Sequence, residues 1–224
     1  MMDPRWEWAL PIREAHLQEK LLGRYTLASL ERKEWWDLYL RELAPHFPEE
    51  LFFSLEGLLS EHERQARKRV IEAQGAAPWV DYWCIRDGEH VAAMFLGRQQ
   101  REDVYLMDLS IVHPDARRKG LYSALIQRLI SYTRALGFHR ILSSHAPSNN
   151  PVIIAKLKQG FSITGLEIDA EVGPNLLLTY FHNPEQKRAY EYRCGGTHLS
   201  KRMVESSQGS FARLQSSIAK ATGD

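Results

Sequence analysis

The sequence is poor in cysteine. It contains only two, of which Cys84 lies in a strand-like run and Cys194 directly precedes Gly195 and Gly196. A disulfide framework or a zinc site needs more cysteines at regular spacings. We therefore expect two ordinary reduced thiols and no bound metal.

Long apolar runs and an excess of one charge are also missing. No stretch approaches the ~20 apolar residues that cross a bilayer. Residues 1–10 carry Asp3, Glu7 and two tryptophans instead of the apolar centre of a signal peptide. The formal net charge is +1, so no overall field favours nucleic acid. We expect a cytoplasmic protein that binds neither membranes nor nucleic acids.

What the sequence does contain is a globular composition and a mixed pattern of elements. With 44% hydrophobic and 25% charged residues, the chain can bury one sizeable core. Helical spacing and strand-like alternation both occur, which places the chain in the α/β (α+β) class. Helices are predicted over residues 11–22, 30–43, 48–74, 121–136 and 148–158, and strands over residues 25–30, 79–85, 91–96, 104–112, 161–168 and 175–181, with a further strand beginning at Ile141.

The run Val104–Val112 has a regular alternation. Its odd-numbered positions from Tyr105 to Ile111 are apolar, whereas Asp108 and Ser110 stand at even-numbered positions. Because side chains alternate between the two faces of a strand, the pattern predicts that Asp108 and Ser110 share a face.

This strand leads through a basic turn directly into an amphipathic helix. The turn holds Arg117, Arg118, Lys119 and Gly120. Backbone N–H groups at a helix N-terminus lack intrahelical partners and carry the positive end of the helix dipole, so they attract anions. Gly120 would let a ligand approach closely. The same pattern is also typical of an ordinary surface turn with basic side chains.

Two separated motifs give the turn a more specific meaning. Arg117-x-x-Gly120-x-Tyr122 resembles the pyrophosphate loop of the GNAT acyltransferases, the Gcn5-related family that uses acetyl-CoA, although Tyr122 stands where the family usually has a small residue. Downstream, Asn149 precedes a short helix that ends in Gly160-Phe161 at the family's distance. Both motifs stand in the family's order, and the likeness covers residues 25–181.

The resemblance implies a mixed, twisted sheet flanked by helices, with middle strands that splay apart to admit the pantetheine of CoA. It further implies an acyltransferase domain over residues 23–184. Residues 1–22 would then form an N-terminal helical extension, and residues 185–224 a C-terminal helical or flexible tail.

The resemblance also implies which residues bind acetyl-CoA. Backbone N–H groups after the turn would hold the pyrophosphate, basic side chains would screen its charge, and the strand backbone would bind the pantetheine and polarise the thioester carbonyl. The cofactor-binding residues are then Ile111, Val112, Arg117, Arg118, Lys119, Gly120, Leu121, Tyr122, Ser123 and Asn149.

Two candidate catalytic residues lie on the predicted strand. A lysine-type acceptor amine has a pKa of about 10.4, so a group in the site must take its proton. Asp108, on the face shared with Ser110, is the candidate base. The alternative is that Asp108 pairs with a nearby arginine.

Two further candidates follow later in the chain. The family usually has a tyrosine four residues before the glycine, where it protonates the departing CoA thiolate, and this chain has Lys156 there. A lysine could donate that proton only if a dry site lowered its pKa. His145 ends a strand, where it either contacts the acceptor as a base with a pKa near operating pH or is incidental.

The aromatic residues between positions 35 and 53 also leave two interpretations open. At helical spacing they either belong to the core or line an acceptor pocket. They are Trp35, Trp36, Tyr39, Phe47, Phe52 and Phe53.

The leading hypothesis is an acetyl-CoA-dependent N-acetyltransferase that acts on an amine of a small molecule or of a protein. The alternative is a non-catalytic acyl-CoA-binding regulatory domain. A nucleic-acid patch at Arg117 to Lys119 is a third possibility, which the near-neutral charge balance opposes. The tail is predicted to pack on the domain or on a second subunit of a homodimer, or to be exposed.

Overall fold

The computed structural model describes residues 4–47, 59–66 and 77–194. The chain divides into two compact units, residues 1–182 and residues 183–224. In the first unit, the helices are α1 (Leu10–Gln18), α2 (Arg32–Glu42), α3 (Leu121–Ala135) and α4 (Asn150–Lys158), and the strands are β1 (Thr26–Ser29), β2 (Val80–Asp87), β3 (His90–Arg101), β4 (Val104–Val112), β5 (Arg140–His145), β6 (Ser162–Asp169) and β7 (Gly173–Phe181). Residues 61–66 are also helical. In the second unit, α5 spans Pro184–Arg193.

The strands form one open, mixed sheet in the order β1-β2-β3-β4-β5-β7-β6. All neighbours are antiparallel except β4 and β5, which are parallel and pair only where Val104–Leu106 face Arg140–Leu142. Beyond Leu106 the two strands diverge. The predicted splay in the middle of the sheet is therefore confirmed, together with the mixed α/β class.

A β-bulge interrupts β4 at Asp108. Leu96 of β3 pairs with Leu109 and Gly97 pairs with Met107, so Asp108 is an extra residue between them. An extra residue reverses the alternation of side chains that follow it. Gly97 permits this because a Cβ there would lie 2.3 Å from the Tyr105 hydroxyl oxygen.

The bulge overturns one prediction. Met107 and Val112 contact the core cluster on one face of the sheet, whereas Leu109 and Ile111 contact the cluster on the other. Ser110 pairs with Phe95 of the first cluster, whereas Asp108 bonds to Arg98, whose partner in the ladder is Leu106. The prediction that Asp108 and Ser110 share a face is therefore wrong, because strict alternation does not anticipate the bulge.

The sheet is packed on both faces. Helix α3 buries a stripe of Leu121, Leu125, Leu129, Tyr132 and Leu136 in the larger cluster, and it ends at Gly137, whose positive φ of 82° suits a helix C-cap. Side chains of α1 pack against the same cluster, within the same compact unit. The domain boundaries at residues 22 and 184 stay predictions.

Helix α2 covers the opposite face. Trp35 and Tyr39 are buried in the smaller cluster, so these two aromatic residues belong to the core. Phe52 and Phe53, and most of the helix predicted over residues 48–74, lie outside the described residues.

A buried carboxylate links α3 to β2 and β4. Asp81 is fully buried and accepts hydrogen bonds from Trp79 Nε1 at 2.8 Å, Tyr105 Oη at 2.7 Å and Tyr132 Oη at 2.9 Å. The Arg13 guanidinium of α1 lies 4.0 Å away. Burial raises the pKa of Asp81 to about 6, although the three donors and Arg13 lower it. The desolvation of the carboxylate therefore outweighs its partners.

Within the part of the chain that the structure describes, no helix has the length and apolar character that a bilayer requires. Nor does that part contain a group of three histidine, cysteine, aspartate or glutamate side chains able to hold a metal ion.

Candidate active site

The divergence of β4 from β5 opens a cleft of about 890 Å³. Its walls come from three segments: the end of β4, the basic turn with the start of α3, and the start of α4. The lining residues include Ser110, Ile111, Val112, Arg117, Arg118, Gly120, Leu121, Tyr122, Ser123 and Asn149. The structure thus brings together most of the residues that the sequence assigns to the cofactor.

The basic turn leaves backbone donors free at one end of the cleft. Gly120 caps α3 with a φ of 78°, and no side chain caps the helix. The first intrahelical bond is donated by Ala124 to the Gly120 carbonyl, so the amides of residues 121–123 precede the helical ladder. Arg118 also has a positive φ, 60°, which is costly for a side chain with a Cβ. A strained turn that presents free amides suits an anion.

The basic side chains of the turn have different surroundings, and they do not all line the cleft. Arg117 Nε donates to the Val112 carbonyl at 3.1 Å, and its guanidinium lies 5.6 Å from the ring centre of Phe47. Arg117 therefore braces the turn and occupies one of the carbonyls assigned to pantetheine. Lys119 lines a separate pocket with His113 and not the cleft.

Tyr122 turns its hydroxyl away from solvent. The residue lines the cleft, but its hydroxyl is buried and has no hydrogen-bond partner among the described residues. Burial raises the pKa of this hydroxyl. The departure from a small residue is thus accommodated by packing the ring against the core.

Tyr122→Phe is expected to raise the free energy of unfolding by about 1 kcal/mol or more, because it removes a buried hydroxyl that lost its water without gaining a partner. Urea denaturation measures the change. Tyr105→Phe is the matched control, and it should lose stability because its hydroxyl donates to Asp81. A clear loss of stability in Tyr122→Phe would contradict this account.

Lys156 follows Ala155, which lines the cleft, but Lys156 itself is not among the lining residues. It is fully buried, and its Nζ donates to Met107 Sδ at 3.0 Å and lies 4.6 Å from the ring centre of Phe161. Burial lowers its pKa to about 7. Lys156 therefore has the dry environment that a proton-donating lysine needs.

His145 does not have the expected chemistry. Its Nε2 lies 2.7 Å from the Oγ of buried Ser143, and burial together with the nearby Lys156 lowers its pKa to about 3. The prediction of a base with a pKa near operating pH is therefore wrong, because desolvation and a neighbouring cation both oppose its protonation.

Asp108 pairs with an arginine, which is the alternative to a catalytic base that the sequence left open. Its carboxylate accepts a hydrogen bond from Arg98 Nε at 2.7 Å across the β3–β4 pair. The bulge directs it to the face opposite Ser110, and it does not line the cleft. The ion pair explains Asp108 without a catalytic role.

Three lining residues were not anticipated from the sequence. Pro151, Val152 and Ala155 form the α4 wall, and the position of α4 directly after the Asn149 motif is a signal that would have found them. Phe47, one of the aromatic residues for which the sequence left a pocket-lining role open, reaches the cleft from the segment after α2 and lies beside Arg117.

The family comparison agrees with this geometry. A model described as Acetyltransferase (GNAT) family matches residues 32–161, which is more than half of the chain. No curated protein sequence matches at a significant level.

Solved structures from Vibrio cholerae share the fold. A spermidine/spermine N-acetyltransferase is 16% identical with a TM-score of 0.51, covering 75% of this chain and 98% of that one. A spermidine N-acetyltransferase in complex with CoA and spermine is 15% identical with a TM-score of 0.50, covering 71% and 96%. With the family match, the sequence prediction is confirmed: the chain belongs to the GNAT family and is an acetyl-CoA-dependent N-acetyltransferase.

Proposed function

We propose that the acetyl group passes in this cleft directly from acetyl-CoA to a primary amine of a small molecule or a protein. The observation that carries the proposal is one cavity of about 890 Å³ that joins the anion-binding turn to the end of β4 and the α4 wall. Direct transfer needs both substrates in one site, and the diverging strands leave room for them.

The residues along the cleft match the order of groups in acetyl-CoA. The amides of residues 121–123 would hold the pyrophosphate, and Asn149 lines the same region with a side chain that makes no capping bond. The unpaired edge of β4 at Ser110 and Ile111 and the apolar wall of α4 suit the pantetheine. When bound, acetyl-CoA supplies an activated acyl group whose C–S bond is the one that breaks.

Lys156 holds a proton for the departing sulfur. The pKa of this lysine is about 7, and an ordinary thiol has a pKa of about 8.5. Proton transfer from the Nζ ammonium to a thiolate is therefore downhill. The Ile111 backbone is proposed to polarise the thioester carbonyl, as preorganised donors do in oxyanion sites.

Calorimetry with acetyl-CoA, followed by a thiol-release assay, tests the proposal. The acceptors are spermidine, which the similar structures name, and a peptide with a free α-amine. We expect binding and release of CoA with at least one of them. Binding without release from a broad amine panel would favour the non-catalytic alternative, and absence of binding would overturn both.

Gly120→Val is expected to lower acetyl-CoA affinity at least tenfold, because the branched side chain disfavours the positive φ that aims the turn amides. Gly137→Val is the matched control, since Gly137 has a similar φ of 82° at the other end of α3 and does not line the cleft. Both variants should lose similar stability, and calorimetry should find weaker binding in Gly120→Val alone. Equal affinities would contradict the role of the turn.

We also propose a cellular location and an oligomeric state for the protein. The protein is expected to act in the cytoplasm and to form a homodimer. Edge strand β6 supports a self-association surface, because Leu166 and Ile168 are 68% and 84% exposed on a strand that ends the sheet order. Sedimentation velocity tests it, and a monomer at all concentrations would contradict it.

A further inference from the structure

Lys156 is an amine of the protein that directly follows Ala155, a residue lining the site of an enzyme that acetylates amines. The side chain is fully buried, and its Nζ contacts a thioether and the face of a ring. Burial lowers its pKa, and no carboxylate of the described residues raises it. A buried lysine with no anionic partner is costly to the fold, which suggests a use for its amine.

Its position points to the acyl end of the ligand. Met107, which accepts from Nζ, directly follows Leu106, the last residue of β4 that pairs with β5. Nζ therefore lies beside the point where β4 parts from β5. Ala155, the preceding residue of α4, lines the cleft wall, and four methylenes give Lys156 the reach to follow a bound acyl group.

We propose that, in the absence of an acceptor, Lys156 takes the acetyl group from bound acetyl-CoA and that the resulting Nε-acetyl-lysine switches the enzyme off. This inference rests on the proposed function. The bond between Nζ and the acetyl carbon forms as the C–S bond breaks, the sulfur keeps the electron pair, and a proton from Nζ passes to it. No further reactant is needed.

The protonation state of Lys156 supports both of its roles. Only the free amine is a nucleophile, and an ordinary lysine with a pKa of about 10.4 is almost wholly protonated at neutral pH. With a pKa of about 7, Lys156 is divided between ammonium and amine at that pH. Acetylation removes the ammonium, so the modified enzyme has no proton donor for the thiolate.

The full chain is incubated with trideuteroacetyl-CoA without any acceptor, and the labelled lysines are mapped by peptide mass spectrometry. We expect label on Lys156 at a rate independent of protein concentration, rising as pH increases through about 7. Exposed Lys158 in the same helix should be labelled at least tenfold more slowly. Transfer to an added amine should fall in proportion to the label on Lys156.

Two variants separate a reaction in the site from chemical acetylation. Lys158→Arg should leave the labelling of Lys156 unchanged, whereas Gly120→Val should abolish it and keep the slow labelling of surface lysines. Acetyl-CoA binding with CoA release to an added amine, but an unlabelled Lys156, would overturn this inference alone. Absence of acetyl-CoA binding in calorimetry would overturn the proposed function and this inference with it.

Discussion

Replacing Lys156 by methionine is expected to make the protein more stable and, at the same time, at least about 100-fold slower in acetyl transfer. The stability gain follows from removing a buried charge, because methionine fills a similar volume without desolvating an ammonium. The rate loss follows from removing the proton donor. A variant that gains stability and loses activity indicates a residue retained for function.

The size and pH dependence of the gain follow from the pKa of Lys156. Burial lowers it from 10.5 to about 7, and each unit corresponds to about 1.4 kcal/mol, so the penalty is about 5 kcal/mol below pH 7. Between pH 7 and 10.5 the unfolded chain binds the extra proton, so the stability of the parent protein rises with pH in that window. The advantage of Lys156→Met shrinks accordingly.

Urea denaturation of both proteins between pH 6 and pH 9.5, at about 25 °C, measures this difference. Lys158→Met is the control, since Lys158 is exposed in the same helix and should change stability by less than about 0.5 kcal/mol. Equal stability of Lys156→Met and the parent across the pH range would refute the buried charge. An unchanged rate would refute the proton donor.

Asp81→Leu is expected to destabilise the protein by about 3 to 5 kcal/mol. It leaves Trp79 Nε1 and the Tyr105 and Tyr132 hydroxyls without the carboxylate that accepts from all three, and it strands the Arg13 guanidinium. Asp87→Ala on the same strand is the matched control. Asp87 pairs with Arg24 near the surface, so its loss should cost far less stability than the loss of Asp81.

Asp81 also predicts a distinct pH dependence. Its pKa is raised from 3.8 to about 6 in the folded protein, so the folded state binds the extra proton between those values. Stability contributed by the protonated carboxyl is present below pH 4 and is lost as pH rises through 6. In urea denaturation, the free energy of unfolding of Asp81→Asn should not fall in this way as pH rises. The same fall in Asp81→Asn would assign the pH dependence to another group.

The local pattern of the sequence was enough to predict most of the helices and strands that the structure describes. It also predicted the basic turn at the start of α3, which lines one end of the cleft. The stripe of α3, its end at Gly137 and the turn at Gly120 depend on neighbouring residues, so periodicity and glycine positions reveal them. The family motifs added the splayed sheet and its ligand.

Features that depend on contacts across the sheet were not predictable in this way. The bulge at Asp108 lies opposite Leu96 and Gly97 on the adjacent strand, and the missing Cβ of Gly97 leaves room for the Tyr105 ring. The chemistry of Lys156 and His145 depends on burial, and spacing along the chain does not report how dry a position is.

Among the described residues, three residue pairs, Val104–Leu106 with Arg140–Leu142, join β1–β4 to the remaining strands of the sheet. The sheet is therefore hydrogen-bonded as two ladders that meet at a short hinge, and we expect the hydrogen bonds of each ladder to open locally as a unit. A ligand lying along the cleft would contact β4 of one ladder and the α4 wall, which follows β5 of the other, and would couple their opening. Amide hydrogen exchange would then slow on both sides of the hinge at once.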